Sequence, residues 1–222
     1  MSGMSPEERL EDVRGAIGKA ARLARRSPED VELIAVSKTY PAEAISPLIA
    51  AGQRAFGENR VQEAQAKWPP LLEQHGGIEL HLIGQLQSNK TEEAVGLFDC
   101  IHSLDRASLA LALAKAMDKL DRRPRCFVQV NIGDEPQKGG CPVAEVPALL
   151  ELCQQAALPI VGLMCIPPAD VEPAPYFALL AKLARHHGVN SLSMGMSAAF
   201  ETAVTLGATQ VRVGTALFGE RR

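Results

Sequence analysis

Short β-branched runs alternate with helical patterns along the whole chain, and this alternation restricts the possible folds strongly. The runs cover residues 31–38, 55–59, 79–84, 100–104, 125–131, 159–166, 191–196 and 210–215. Helical patterns lie between them at 42–51, 60–73, 88–97, 106–120, 143–157, 174–187 and 197–206. Strict alternation of strand and helix predicts parallel strands that are joined by right-handed crossovers.

Eight parallel strands are enough to close a barrel. We therefore predict an α/β fold, a single (β/α)8 TIM-type barrel with an extra N-terminal helix. The predicted domain covers residues 1–222, with the helix in 1–26 and the barrel in 31–219. An open sheet is the alternative, because periodicity alone does not show closure.

The composition excludes several functional classes. The chain is 46% hydrophobic and only 4% aromatic, so its core is aliphatic, which suits a parallel sheet covered by helices. A net charge of −3 provides no positive field, and we expect neither nucleic acid nor a membrane as a partner. Five cysteines without a CxxC pair predict neither a disulfide framework nor a zinc site. With no signal-like segment, we expect a cytoplasmic protein, and a monomer.

Lys38 is the sharpest chemical signal in the sequence. It ends the apolar run from Leu33 to Ser37, where a solvated surface charge is not expected. In a barrel of this kind, ligands bind where the carboxyl ends of the strands converge. An amine that is removed from water there becomes a nucleophile toward aldehydes. The alternative is a lysine at a loop edge whose amine reaches water.

A second signal is a possible phosphate site. Ser197, Gly214 and Thr215 follow the seventh and eighth predicted strands, and loops there are the habitual phosphate site of such barrels. The alternative is that Ser197 caps a helix and the glycine forms a turn. Arg212 is a third signal, because a buried guanidinium needs an acceptor. That acceptor is either a carboxylate of the chain or the ring nitrogen of a ligand.

Six ordered motifs resemble the pyridoxal phosphate homeostasis proteins, also called the YggS or PROSC family. The resemblance covers nearly the whole chain. The motifs are LIAVSKTYP at 33–41, FGENR at 56–60, HLIGQLQSNK at 81–90, VQVN at 128–131, LSMGMS at 192–197 and VRVGT at 211–215. One departure is Ala199, which stands where the family commonly has an acidic residue.

The resemblance implies a barrel like the N-terminal domain of alanine racemase, which holds pyridoxal 5′-phosphate (PLP) as its cofactor. It implies a Schiff base on Lys38 and an Arg212 that faces the pyridine nitrogen. The remaining cofactor-binding residues that it implies are Asn59, His81, Ser197, Gly214 and Thr215. We predict no metal ligand and no catalytic residue.

The implied function is that of a non-enzymatic carrier or buffer of PLP, which maintains intracellular vitamin B6 and amino-acid homeostasis. Its partners would be PLP and, transiently, apo PLP-dependent enzymes. One alternative is a fold-type III PLP enzyme with weak amino-acid racemase activity, for which Tyr40 is a candidate second base. Another is a phosphosugar aldolase that uses Lys38.

Overall fold

The computed structural model describes residues 4–219. Residues 1–3 and 220–222, which belong to the predicted segment 1–26 and the predicted domain 1–222, lie outside this part. The strands are β1 Glu32–Val36, β2 Ala55–Glu58, β3 Glu79–Leu82, β4 Cys100–Leu104, β5 Arg125–Asn131, β6 Cys141–Pro142, β7 Ile160–Cys165, β8 Ser191–Met196 and β9 Gln210–Val213. The α-helices are α1 Pro6–Leu23, α2 Ala42–Ala50, α3 Val61–Gln74, α4 Thr91–Leu97, α5 Ala107–Leu120, α6 Val146–Gln155, α7 Ala174–His187, α8 Phe200–Thr205 and α9 Thr215–Phe218. Short 3-10 helices span Pro28–Asp30, Ser88–Lys90 and Val143–Glu145.

Eight of the strands close into a parallel barrel. The ring runs β4-β3-β2-β1-β9-β8-β7-β5, and pairing between β4 and β5 completes it. The two-residue strand β6 pairs with β5 in addition to the two ring neighbours of β5. The predicted barrel is therefore confirmed, and the open-sheet alternative is wrong.

The first helix lies outside the strand and helix repeat, as predicted. Ser5 and Glu8 form a capping box at its start, with the Glu8 amide donating to Ser5 Oγ over 3.1 Å. Leu10, Val13 and Ile17 are buried along one face. The helix packs mainly against α8 and α9, so it covers the side of the barrel formed by β8 and β9.

The barrel strands bury side chains on both faces. Outward-facing apolar residues form the main core with the surrounding helices. Cys100, Phe127 and Met164 form a separate small cluster, which lies inside the ring. Four polar side chains share this interior and are no more than 3% exposed: His81, His102, Ser193 and Arg212. The inside of the barrel is therefore partly polar below the end where ligands bind.

The connection after β8 differs from its prediction. The predicted helix begins at residue 197, whereas α8 begins at Phe200. A turn intervenes, in which the Ala199 amide donates to the Met196 carbonyl over 2.7 Å. Gly195 adopts φ +89°, and a Cβ there would lie 2.5 Å from Ala203 Cβ, so α8 packs closely only on a glycine.

Smaller differences concern strands. β1, β3 and β9 each end two residues before their predicted runs do, at Val36, Leu82 and Val213, and Thr215 begins α9. The short strand β6 was not predicted, because two residues carry no periodic pattern. Within residues 4–219, no helix has both the length and the hydropathy to cross a bilayer.

Candidate functional site

A cavity of about 400 Å³ opens at the carboxyl ends of the barrel strands. Such a volume falls in the range of small-molecule sites. Lys38, Asn59, Lys138 and Arg212 are among the residues that line it. A larger cleft of about 740 Å³ lies between α4 and α5 on the outside of the barrel. We place the candidate site in the smaller cavity, because side chains from several strands converge there as the fold predicts.

The Lys38 segment leaves β1 in an unusual conformation. Lys38 itself is half-buried, and its amine forms no hydrogen bond or ion pair with residues 4–219. Thr39 follows with φ +65°, a left-handed conformation that β-branched residues rarely adopt. The Thr39 amide donates to the Glu63 carboxylate, which holds the turn. Lys38 lines the cavity, and its amine has no partner within the described chain.

A buried ion pair supports this segment from the side of α3. Lys67 Nζ donates to the carbonyls of Ser37 and Tyr40, over 2.8 and 3.1 Å. The same amine lies 2.7 Å from Glu58 Oε1, and the two side chains are only 9% and 0% exposed. Ser37 Oγ donates to that carboxylate over 2.6 Å. Sequence reasoning missed Lys67, and its only signal was a lysine on the buried side of a helix beside a strand-ending Glu58.

Arg212 is a buried cation with neutral partners. It is 3% exposed, and burial lowers its pKa to about 10. Nη1 donates to Ser193 Oγ over 2.5 Å and Nη2 donates to the Cys165 carbonyl over 2.9 Å. No carboxylate among the described residues pairs with it, so the predicted alternative of a carboxylate partner is not found. Each terminal nitrogen keeps a second N–H, and Arg212 lines the cavity.

His81 lies below the cavity rather than in its lining. Its Nδ1 is 2.9 Å from His102 Nε2, and His102 Nδ1 is 2.8 Å from Ser193 Oγ. Burial lowers the pKa of His81 to about 4 and that of His102 well below the ordinary value. Both imidazoles are therefore neutral at pH 7. His81 is connected to Arg212 only through His102 and Ser193. Neither of these two residues was predicted from the sequence.

The predicted phosphate residues lie together beside the cavity. The Gly214 amide donates to Ser197 Oγ over 3.3 Å, which joins the two loops. Thr215 follows Gly214 and is exposed. Ala199, and not Ser197, precedes the first residue of α8, so the helix-capping alternative for Ser197 is wrong. Met196, next to Ser197, lines the cavity.

Asn59 lies in the cavity because two loops approach each other closely. A Cβ on Gly84 would lie 2.2 Å from the Asn59 carbonyl oxygen, so the glycine is required for this approach.

On the other side, the loop 133–140 brings Lys138 to the cavity. Lys138 Nζ pairs with Glu135 Oε2 at 2.6 Å, and Gln129 Nε2 donates to the Gly139 carbonyl over 3.1 Å.

The sequence model of the alanine racemase N-terminal domain matches residues 17–222. The chain belongs to this family. Among curated relatives, the pyridoxal phosphate homeostasis protein of Escherichia coli K12 is 40% identical, over 96% of this chain and 95% of its own length. That of Aquifex aeolicus is 39% identical, over 99% of this chain and 100% of its own length. The resemblance that the motifs indicated is confirmed.

Solved structures agree with this assignment. PipY of Synechococcus elongatus PCC7942 without PLP is 40% identical, covers 97% of this chain and 100% of its own, and superimposes with a TM-score of 0.85. The same protein with PLP bound gives 43% identity and a TM-score of 0.77, over 91% of this chain and 100% of its own. An alanine racemase of Clostridium difficile shares the fold alone, with 15% identity and a TM-score of 0.69; the match covers 95% of this chain and 57% of that one.

Proposed function

We propose that this chain binds PLP reversibly as a Schiff base on Lys38, and that it carries or buffers PLP to maintain vitamin B6 and amino-acid homeostasis. One observation carries the proposal. The cavity is lined by an unpartnered amine, that of Lys38, and by a buried guanidinium, that of Arg212, which has no carboxylate partner within residues 4–219. A buried cation without a counter-ion favours a ligand that supplies an acceptor.

The residues present fit the functional groups of PLP. When bound, PLP supplies an aldehyde that condenses reversibly with amines. Lys38 is the nucleophile for that aldehyde, and Arg212 is the donor for the pyridine nitrogen. Ser197 and Thr215 offer hydroxyls for the phosphate, and Gly214, whose amide donates to Ser197 Oγ, joins the two loops that carry them. Asn59 lines the same cavity, whereas His81 acts at one remove. The names of the relatives and the PLP-bound PipY structure support the same ligand.

The proposed role is not enzymatic. Cofactor chemistry at the α-carbon of an amino acid depends on a protonated pyridine nitrogen, which a carboxylate usually enforces. Arg212 keeps its proton at pH 7, since its pKa is about 10, and therefore donates to that nitrogen instead of protonating it. Tyr40, the candidate second base for a racemase, donates its hydroxyl to the Gly219 carbonyl over 3.2 Å and stacks on Phe218. These contacts favour a structural role for Tyr40.

We further propose a cytoplasmic monomer that meets apo PLP-dependent enzymes transiently. All five cysteines are free thiols, which suits a reducing compartment.

The decisive experiment mixes PLP with the wild-type protein, with Lys38→Ala and, as a matched control, with Lys90→Ala. Lys90 pairs with Glu93 and is not among the residues that line the cavity. After borohydride reduction, mass analysis should locate the PLP adduct on the Lys38 peptide of the wild-type and Lys90→Ala proteins, and Lys38→Ala should lose it. The same adduct yield in Lys38→Ala would contradict the proposal. A separate assay mixes the PLP-loaded protein with amino acids that carry deuterium at the α-carbon. Loss of this deuteron would indicate the racemase alternative.

A further inference from the structure

A chain of hydrogen-bonding groups crosses the interior of the barrel. It begins at Arg212, whose Nη1 lies 2.5 Å from Ser193 Oγ. It continues from Ser193 Oγ to His102 Nδ1 over 2.8 Å, and from His102 Nε2 to His81 Nδ1 over 2.9 Å. His81 Nε2 lies 3.1 Å from Glu79 Oε1 but makes no hydrogen bond with it, so the hydrogen-bonded chain ends at His81. The four residues of the chain are almost fully buried, so no bulk water competes for these contacts.

The chemistry of the Arg212 end gives the chain its direction. A guanidinium can only donate, so Ser193 Oγ accepts from Arg212. Among residues 4–219, the acceptor within reach of the Ser193 hydroxyl hydrogen is His102 Nδ1. A neutral His102 that accepts at Nδ1 carries its proton on Nε2 and donates it to His81 Nδ1. A neutral His81 that accepts at Nδ1 in turn carries its proton on Nε2.

We propose that Ser193 is a positioning residue for Arg212 and that His102 and His81, both protonated on Nε2, fix the hydroxyl of Ser193 in that role. The inference rests on the proposed PLP function, since Arg212 is the group that would meet the pyridine nitrogen. Because the Ser193 hydrogen is committed to His102, its oxygen presents lone pairs to Nη1. Together with the Cys165 carbonyl at Nη2, this holds the guanidinium in one orientation, with its second N–H groups available to a ligand.

The first test needs no PLP. In the full-length protein labelled with 15N-histidine, His81 and His102 should both appear as neutral Nε2–H tautomers across neutral pH, and His81→Gln and His102→Gln assign their signals. In Ser193→Ala, the Nδ1 signal of His102 should move toward that of a nitrogen without a hydrogen bond. An Nδ1–H tautomer at either residue in the wild type would reverse the chain and overturn the proposal.

The second test measures PLP affinity in Ser193→Ala against a matched control. Ser103 is equally buried, and its Oγ has no hydrogen-bond partner within the described chain, so Ser103→Ala removes the same atom without breaking a contact. We expect Ser193→Ala to weaken PLP binding roughly tenfold or more, because a hydrogen bond to a charged group is lost. Ser103→Ala should bind as the wild type does.

The outcomes separate the two proposals. Equal affinities of Ser193→Ala and wild type, or an equal loss in Ser103→Ala, would overturn the positioning role while PLP binding itself stands. A wild-type protein that does not bind PLP would overturn the proposed function, and the histidine tautomers would still decide the direction of the chain. If Ser193→Ala does not fold, the histidine tautomers of the wild-type protein still test the direction of the chain.

Discussion

The two ends of the barrel place their charges in different surroundings. At the carboxyl end, Lys38 and Arg212 reach a cavity and have no carboxylate partner among residues 4–219. At the amino end, Glu79 pairs with Arg125, and Asp99 also pairs with an arginine. These two acidic residues of the amino end are paired within the chain, whereas Lys38 and Arg212 at the carboxyl end are not paired with a carboxylate of residues 4–219. The difference suggests that one end serves the fold and the other serves binding.

Ion pairs at the two ends also differ in burial. Breaking the more buried pair should change the free energy of unfolding more than any other variant proposed below. Glu58 and Lys67 near the carboxyl end are 0% and 9% exposed, whereas Glu79 and Arg125 are 32% and 43% exposed. Lys67→Met strands a buried carboxylate and should lower the free energy of unfolding by about 3–5 kcal/mol. The matched Arg125→Met should cost about 1 kcal/mol or less. Urea unfolding of both variants measures the two losses of free energy. Equal losses would show that the two ion pairs contribute alike despite their different burial.

The buried histidines between the two ends predict how stability depends on pH. The pKa of His81 is about 4 in the folded protein, whereas an unfolded histidine has a pKa of about 6.5. The unfolded chain therefore binds more protons between these values, and stability is lost as the pH falls through this window. We expect a loss of about 3 kcal/mol from His81 alone by pH 4, and His102 adds to it.

This prediction is checked by urea unfolding at pH 7, 6 and 5. His81→Gln should show a shallower loss of stability with acid than the wild type, and His186→Gln, which changes an exposed histidine, should match the wild type. Stability that stays constant from pH 7 to 5 would show that the interior imidazoles are not held neutral by burial.

Apart from the control variants, the last variant should change the free energy of unfolding least, and the change should be an increase. Arg212→Met replaces a buried cation that lacks a carboxylate partner in the described chain, so it should raise the free energy of unfolding of the PLP-free protein by about 1–3 kcal/mol. It should also weaken PLP binding, because the donor that we propose for the pyridine nitrogen is gone. Urea unfolding and PLP titration of one preparation measure both. A variant that is less stable without PLP would show that Arg212 serves the fold, as charges at the amino end do.

Much of the fold could be predicted from the chain. β4, β5 and β8 coincide with their predicted runs, and α7 coincides with its predicted pattern. The candidate site was partly predictable for the same reason: Lys38 and Asn59 lie within two residues of the ends of β1 and β2, and parallel strands bring such positions to one end of a barrel. Arg212 could be recognised because a charged side chain between two valines has to find an acceptor inside the protein.

The parts that escaped prediction depend on contacts between distant residues. His102 and Ser193 are 91 positions apart and meet only because the β4–β5 pairing closes the ring and brings β4 within three strands of β8. His81 was predicted to bind the cofactor, but the pleat and register of β3 place it beneath the cavity. Lys67 supports the Lys38 segment from a helix, and its place on the buried side of α3 does not by itself distinguish it from a lysine whose amine reaches water.

The alternation of strands and helices, the end of the barrel at which polar residues collect, and the two notable cations Lys38 and Arg212 can all be read from the chain alone. They follow from local periodicity and from the cost of burying charge, which act on neighbouring residues. Three further features needed the folded protein: the ring closes, Arg212 meets a serine and a carbonyl instead of a carboxylate, and two neutral histidines lie behind it. Those outcomes depend on which strands face each other across the barrel, and no short stretch of sequence encodes that geometry.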